Sequence, residues 1–451
     1  MTSSILASLG IFALAFIAKF LTGDWFHPAA VFCLLWSYSC GIAILVAPED
    51  ITSGSGPLWI LLNAALVVTG GVAGSASACS SFSRRHSQGR AVIKVSRMLR
   101  DSKLRQITAV CSVLGIAYVI LLLNSQGIRL TQVTTLEGLG QIASKITLQR
   151  YSGTAPNMGI LVRVATSALY LAPLFGGTLF VYRQRRSDIA LSLFTMLPSL
   201  LSFVAQSTRA AVLYGVTMWV AGYITGRISS GLRVQRIRVR SMFHKLGVGI
   251  IVFFALIALI SSGQALRGEL QTSSGDLRQS ILSNLTKTYL GGHLGALSEW
   301  MDNTDLPEVQ SSYGLYTFAG VYEMIVPGSR VIGIFNDYAM LPTGATNVYT
   351  YFRGLIEDAT LPGSLLVTLV LGFLGGFTYR KVLEGKQTWR GILAGQYAWI
   401  LFGITSLFNY NSTLLAIVAY AAWCFCTPFA TERRHESIGN GRAAAASTMS
   451  N

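Results

Sequence analysis

The chain has 451 residues, 52% hydrophobic and 12% charged, with a mean hydropathy of +0.52 and a formal net charge of +16. Soluble domains carry about 25% charged residues, so composition excludes a soluble globular protein and predicts an all-α polytopic membrane protein. A nucleic-acid-binding reading of the +16 is set aside by where the charges lie, as follows.

A membrane span needs about 20 apolar residues. Eleven stretches qualify: roughly 3–22, 28–47, 57–79, 106–124, 159–182, 188–206, 210–226, 246–264, 361–380, 391–408 and 412–430. The first has no basic leader and no small-residue cleavage site, which reads as a retained span rather than a signal peptide. If the eleven alternate, the connections near 80–105, 183–187, 227–245 and 381–390 and the tail after 430 fall on one side. With Lys19 they hold 25 of the 35 Lys and Arg. The positive-inside rule makes that side cytoplasmic and puts the N-terminus outside. The charge is thus mainly a topology signal, with attraction to anionic membrane lipids as a corollary.

The remaining basic residues, among them Arg129, Arg163, Arg209, Arg267, Arg330 and Arg353, lie at or near the outer face, against that bias. Two outer connections are long. Residues 125–158 carry Leu136, Leu139, Ile142 and Ile146 at helical spacing, which predicts a short amphipathic helix on the membrane. Residues 265–360 form the largest extramembrane piece. One helix is expected from Asp276 to the Gly291-Gly292 stop, and another carries Phe318, Tyr322 and Ile325 up to Pro327. The domain reading is 1–264 membrane (spans one to eight), 265–360 outer loop, 361–430 membrane (spans nine to eleven) and 431–451 cytoplasmic tail.

The densest polar stretch is Thr346-Asn347-Val348-Tyr349-Thr350-Tyr351-Phe352-Arg353-Gly354-Leu355-Ile356-Glu357-Asp358, directly before the apolar run 361–379. Pro362 falls in the first turn of a helix entering that run, a position Pro tolerates. Tyr and Arg are common membrane anchors. An Arg and two carboxylates beside a bilayer are nevertheless costly unless paired or used. Glu357 and Asp358 are neighbours, so on a helix they point about 100° apart and cannot share one proton.

Other candidates sit on the same side. Arg209 occupies the tight turn Gln206-Ser207-Thr208-Arg209, and Arg267 follows a span in Leu266-Arg267-Gly268-Glu269. Guanidiniums suit a phosphate because they bind its oxygens in pairs. His293 lies between glycines in Gly291-Gly292-His293-Leu294-Gly295, a candidate base or phosphate donor. Metal chemistry finds no HExxH, and Asp302-Asn303-Thr304-Asp305 is not a DxD. Cys33, Cys40, Cys79, Cys111, Cys424 and Cys426 show no CxxC spacing and read as packing thiols. Gly372, Gly375 and Gly376 read as close helix packing.

The ordering of these pieces resembles the bacterial oligosaccharide repeat-unit polymerases, the Wzy-type polymerases of O-antigen and capsule. The matching pieces are Ser207-Thr208-Arg209 opening a span, Leu266-Arg267-Gly268 after a later one, the large outer loop, and Thr346 to Thr350 leading through Arg353 and Asp358 to Gly363-Ser364. Family members often carry an aromatic residue and a Gly after that Asp; this chain has Ala359-Thr360. The resemblance implies a GT-C-like helical fold of about eleven spans with a large helical periplasmic loop, in the bacterial inner membrane, its active site facing the periplasm. It implies a glycosyltransferase acting on undecaprenyl-diphosphate-linked oligosaccharides, with no nucleotide sugar, cofactor or metal, no nucleic acid, and a chain-length-regulating co-polymerase as partner. Arg209, Arg267 and Arg353 are then expected to hold diphosphate and His293 or Asp358 to take a proton. Asn347, Tyr349, Tyr351 and Glu357 are expected to bind the glycan. An O-antigen ligase has similar topology and outer Arg residues. A transporter more often has ionisable residues mid-span; here the span centres are almost uncharged, Arg163 excepted.

Overall fold

The computed structural model describes residues 1–51, 53–79, 97–125, 127–128, 160–206, 209–231, 291–319, 337–403 and 411–426, with single positions between them, Tyr322 and Phe335 included. Its helices are α1 (Thr2–Thr22), α2 (Pro28–Val46), α3 (Ser55–Ala78), α4 (Arg97–Ser125), α5 (Ile160–Tyr182), α6 (Arg186–Phe194), α7 (Leu197–Gln206), α8 (Arg209–Ser229), α9 (Gly292–Asn303), α10 (Tyr351–Leu383), α11 (Arg390–Leu401) and α12 (Asn411–Cys426). A small antiparallel hairpin, β1 (Ala339–Leu341) and β2 (Gly344–Thr346), pairs Ala339 with Thr346.

The all-α membrane class holds: α1, α2, α3, α4, α5 and α10 contain stretches long and apolar enough to cross a membrane. Six helices meet that standard among the described residues, and the expected count of eleven is finer than this. The expected span 188–206 is interrupted at Thr195-Met196 into α6 and α7, each too short to cross alone. The helices α11 and α12 have 12 and 16 residues. The span 246–264, the amphipathic helix expected from Leu136 to Ile146 as a whole, the helix from Asp276, the stretch from Glu323 to Pro327 and the tail lie outside the described residues.

Two apolar cores hold the bundle. One gathers Ile11, Phe32, Trp36, Ile60 and Leu294 with Phe352 and Ile356 at the start of α10. The other gathers Tyr118, Leu169, Phe175, Tyr214, Met218 and Tyr420 from α4, α5, α8 and α12. Helix α11 supplies both, Leu393, Ala394 and Tyr397 to the second and Trp399 and Ile400 to the first. Between α3 and α10 the backbones touch. A Cβ on Gly74 would overlap the Phe373 carbonyl, and one on Gly376 would overlap that of Gly71. Small residues permit this approach where lipid gives no hydrophobic reward for helix association. Gly372 behaves as expected against Val67, whereas Gly375 meets Pro28.

The connections sort to two ends. At one, Lys381 Nζ donates to the Ala78 carbonyl (2.8 Å), Gln387 donates to that of Ser229 (3.4 Å), and Tyr182 bonds the Ser229 hydroxyl (2.7 Å). There too Arg105 Nε pairs with Asp188 at 2.6 Å. At the other, Asp50 in the α2–α3 turn accepts from the Thr343 backbone N–H (3.0 Å) and from its hydroxyl. Ser55 donates to the Ser298 carbonyl (3.3 Å), and the Tyr351 N–H reaches the Gly403 carbonyl (3.2 Å). The basic connections described thus share one end, and the polar stretch before α10 lies at the opposite one. Four cysteines are buried and Cys79 and Cys426 exposed, all as free thiols.

Within α10, Thr360 takes φ 63° and ψ 173°. That conformation is essentially reserved for Gly, so α10 is two helices, a short outer one ending at residue 359 and a long one carrying Pro362 in its first turn, as the sequence predicts.

Candidate functional site

The site is built where the hairpin, α9 and the outer part of α10 meet. Thr350, extended at φ −73° and ψ 162°, precedes α10 and sets Arg353 in the first turn. The Pro342-Thr343-Gly344 turn reverses the chain so that residue 337 returns beside 349. Arg353 Nη1 and Nη2 donate to the two Asp337 carboxylate oxygens at 2.8 and 3.1 Å, and Nε donates to Glu357 Oε1 at 2.8 Å. The guanidinium, 6% exposed, also lies over the rings of Phe335 (4.0 Å), Tyr349 (4.1 Å) and Trp300 (5.1 Å). The guanidinium inside the aromatic sleeve is thus paired twice, with the largely sheltered Glu357 and with Asp337 at the open side, so no unpaired cation is buried there.

The electrostatics follow from that arrangement. Partial burial pushes the Asp337 carboxyl up, but the Arg353 hydrogen bond and charge outweigh it and hold the group below its ordinary value. The Tyr349 phenol, which donates to Asp337 at 3.4 Å, is pushed up to about 12, chiefly by burial. Tyr316 is raised by burial and then by the negative charge of Glu357.

Asp358, one residue on, faces elsewhere. Its carboxylate accepts from the Ser312 hydroxyl and from the backbone N–H groups of Tyr316 (2.9 Å) and Thr317 (2.6 Å). Its carbonyl accepts from the Tyr313 N–H at 3.2 Å, and the Glu357 carbonyl from that of Ser312 at 2.9 Å. Asp358 thereby pins the loop 311–317. The loop tip, Tyr313 at φ 55° and Gly314 at φ 95°, holds Tyr313 84% exposed.

The structure brings together Arg353, Glu357, Asp358, Tyr349 and Tyr351 from the expected set, with Asn347 half-buried in the segment leading to them. Tyr349 is engaged by Arg353 and Asp337. Tyr351 packs against Phe352 (4.2 Å) and Trp399 (5.2 Å). His293 is 1% exposed on α9, its Nε2 bonded to the Ser39 hydroxyl at 2.9 Å, and burial lowers it to about 4. It lies seven residues, about 10 Å along the helix, from Trp300 at the Arg353 sleeve. Arg267 and the Arg209 side chain lie outside the described residues, although Arg209 opens α8.

Asp337, Trp300 and Phe335 are additional members that no short motif announces. The usable signal was the Pro-Thr-Gly turn, which predicts a chain reversal and hence the return of residue 337 to residue 349. Glu357 differs from the other carboxylates of the site: its Oε2 is buried and takes no bond from Arg353, and the Tyr316 phenol shares a side-chain hydrogen bond with this carboxylate.

No protein-family model matches the chain, and no curated protein or solved structure does either.

Proposed function

We propose that the chain is a membrane-embedded glycosyltransferase that polymerises undecaprenyl-diphosphate-linked oligosaccharide units on the outer face of the bacterial inner membrane. It moves the growing glycan from its lipid carrier onto the non-reducing end of an incoming unit. The observation that carries this reading is the Arg353–Asp337–Glu357 cluster, a built polar site at the mouth of a span, at the end of the bundle away from the basic connections.

In the reaction, an acceptor sugar hydroxyl attacks the anomeric carbon of the donor glycan. The bond from that carbon to the carrier diphosphate breaks, and the diphosphate leaves with the electron pair. Arg353 is already paired, so on this reading it fixes Glu357 and the hairpin, while Arg209 and Arg267 meet the leaving diphosphate. Preorganised donors aimed at developing charge contribute about 3–4 kcal/mol each. The hydroxyl proton goes to Glu357, the carboxylate that Arg353 holds through one oxygen and Tyr316 faces. Asp358 is occupied by the loop it pins, and His293 is held by Ser39 inside the bundle. A general base of this kind contributes typically about 10²–10⁴-fold.

The test is purified protein supplied with lipid-linked repeat units and read as a polymer ladder. Arg209→Ala abolishes the ladder with protein level unchanged; full activity in that variant removes the diphosphate clamp. In cells, loss of a polymerase leaves lipopolysaccharide core bearing one unit, whereas loss of a ligase leaves bare core.

A further inference from the structure

Beside the polar cluster lies a cleft of about 350 Å³, walled by Phe318, Tyr351, Leu355, Val367, Leu371 and Trp399. It crosses the break at Thr360, so its upper wall belongs to the outer loop and the short outer helix, and its lower wall to the span. From Thr360 to Leu371 a helix descends about 16 Å, roughly half of a hydrocarbon core about 30 Å thick. Leu366, Val370 and Leu374, alongside that lower wall on the same helix, are exposed large hydrophobics. The cleft therefore adjoins the lipid-facing stripe of α10. At its top, Tyr313, Leu315 and Phe318 are exposed on the pinned loop, the kind of side chains that rest at a membrane interface.

The charge at the cleft selects among lipids. Asp358 is the charged residue of the lining, and no Lys or Arg is part of it among the described residues. A carboxylate has about four lone-pair sites. Three are taken by Ser312, Tyr316 and Thr317, which leaves one directed donor position open. An anionic head group would meet a like charge there, and an ammonium head group an opposite one. The volume is near the lower end of small-molecule sites, about 300–1,000 Å³, which suits one hydrocarbon chain rather than two.

We propose that this cleft is a binding site for a bilayer phospholipid with an ammonium head group, one chain lying along Leu355, Val367 and Leu371 and the ammonium beside Asp358. The site is distinct from the carrier-diphosphate function and does not depend on it. The assay reads labelling and not polymer, so either reading fails without the other.

The experiment uses the full chain in nanodiscs containing a phosphatidylethanolamine with a photoreactive diazirine in one acyl chain, or the phosphatidylglycerol counterpart. Cross-links are mapped by peptide mass spectrometry. The ethanolamine probe is expected to label the segments 313–318 and 355–371 about threefold more than the glycerol probe, the discrimination of an ion pair worth somewhat under ~1 kcal/mol. Val367→Trp, which fills the cleft, is expected to halve that labelling or more while leaving labelling of α1 unchanged. Asp358→Asn is expected to erase the head-group preference. Equal labelling by both probes, labelling indifferent to Val367→Trp, or displacement of the ethanolamine probe by a polyprenyl diphosphate more readily than by unlabelled phosphatidylethanolamine overturns the proposal.

Discussion

Arg353 and Asp337, sixteen residues apart, share two near-parallel hydrogen bonds that tie the hairpin to the head of α10. The two ends of the pair are unequally exposed: the Arg353 side chain is 7% accessible and that of Asp337 56%. Removing the buried end strands Glu357 without its partner and empties a ring-lined space. Arg353→Ala is therefore expected to cost about 3–5 kcal/mol, and Asp337→Asn no more than about 1 kcal/mol, because the guanidinium keeps Glu357 and water screens the outer side. Thermal unfolding in detergent checks the order. Equal losses would show that the pair is not what secures the hairpin.

Asp358→Ala leaves two backbone N–H groups and the Ser312 hydroxyl without their acceptor. These are part-buried hydrogen bonds to a carboxylate, worth about 1.5 kcal/mol or more each, and together more than a surface loop holds in reserve. Chymotrypsin is then expected to cut at Tyr313 or Phe318 several-fold faster than in the parent protein. An unchanged cleavage rate would mean that the loop is held by something other than this carboxylate.

Thr360→Gly is expected to stabilise the protein by about 1–3 kcal/mol, the cost of holding a residue with a Cβ at such dihedrals. Thr360→Ala keeps the Cβ and gives no such gain. The comparison of the two unfolding temperatures isolates backbone strain from loss of the hydroxyl. A gain shared by both variants would point to the hydroxyl instead.

His293 titrates near 4 when folded, against 6.5 when exposed, because burial disfavours its cation. The folded chain thus binds fewer protons than the unfolded chain between those values. Its contribution is complete above pH 6.5 and disappears as pH falls toward 4, a loss on the order of 3 kcal/mol. His293→Gln is expected to flatten the stability profile in that window and leave it unaltered above pH 7. A profile as steep as that of the parent chain would assign the acid sensitivity to another group.

Composition and charge placement made the membrane class and the grouping of basic connections readable, because lipid imposes long apolar runs and charge sorts by side. The polar stretch from Thr346 to Asp358 was readable too, since charge beside a bilayer stands out. The partners were not. Asp337 enters through a hairpin register, and Trp300 through the packing of α9, and neither leaves a periodic signal at Arg353. A run of apolar residues from 188 to 206 reads as one span, yet a break at Thr195-Met196 divides it; hydropathy averages over such interruptions. Glu357 and Asp358 look interchangeable as letters. Only the helix beneath them turns one toward Arg353 and the other toward the loop.

Helix α11 turns different faces into separate interiors, Tyr397 into one and Trp399 into the other. A pump that rocks two halves about a central passage needs a seam along which they slide. Here one helix is buried in both interiors, so α11 joins the two cores through its own backbone hydrogen bonds.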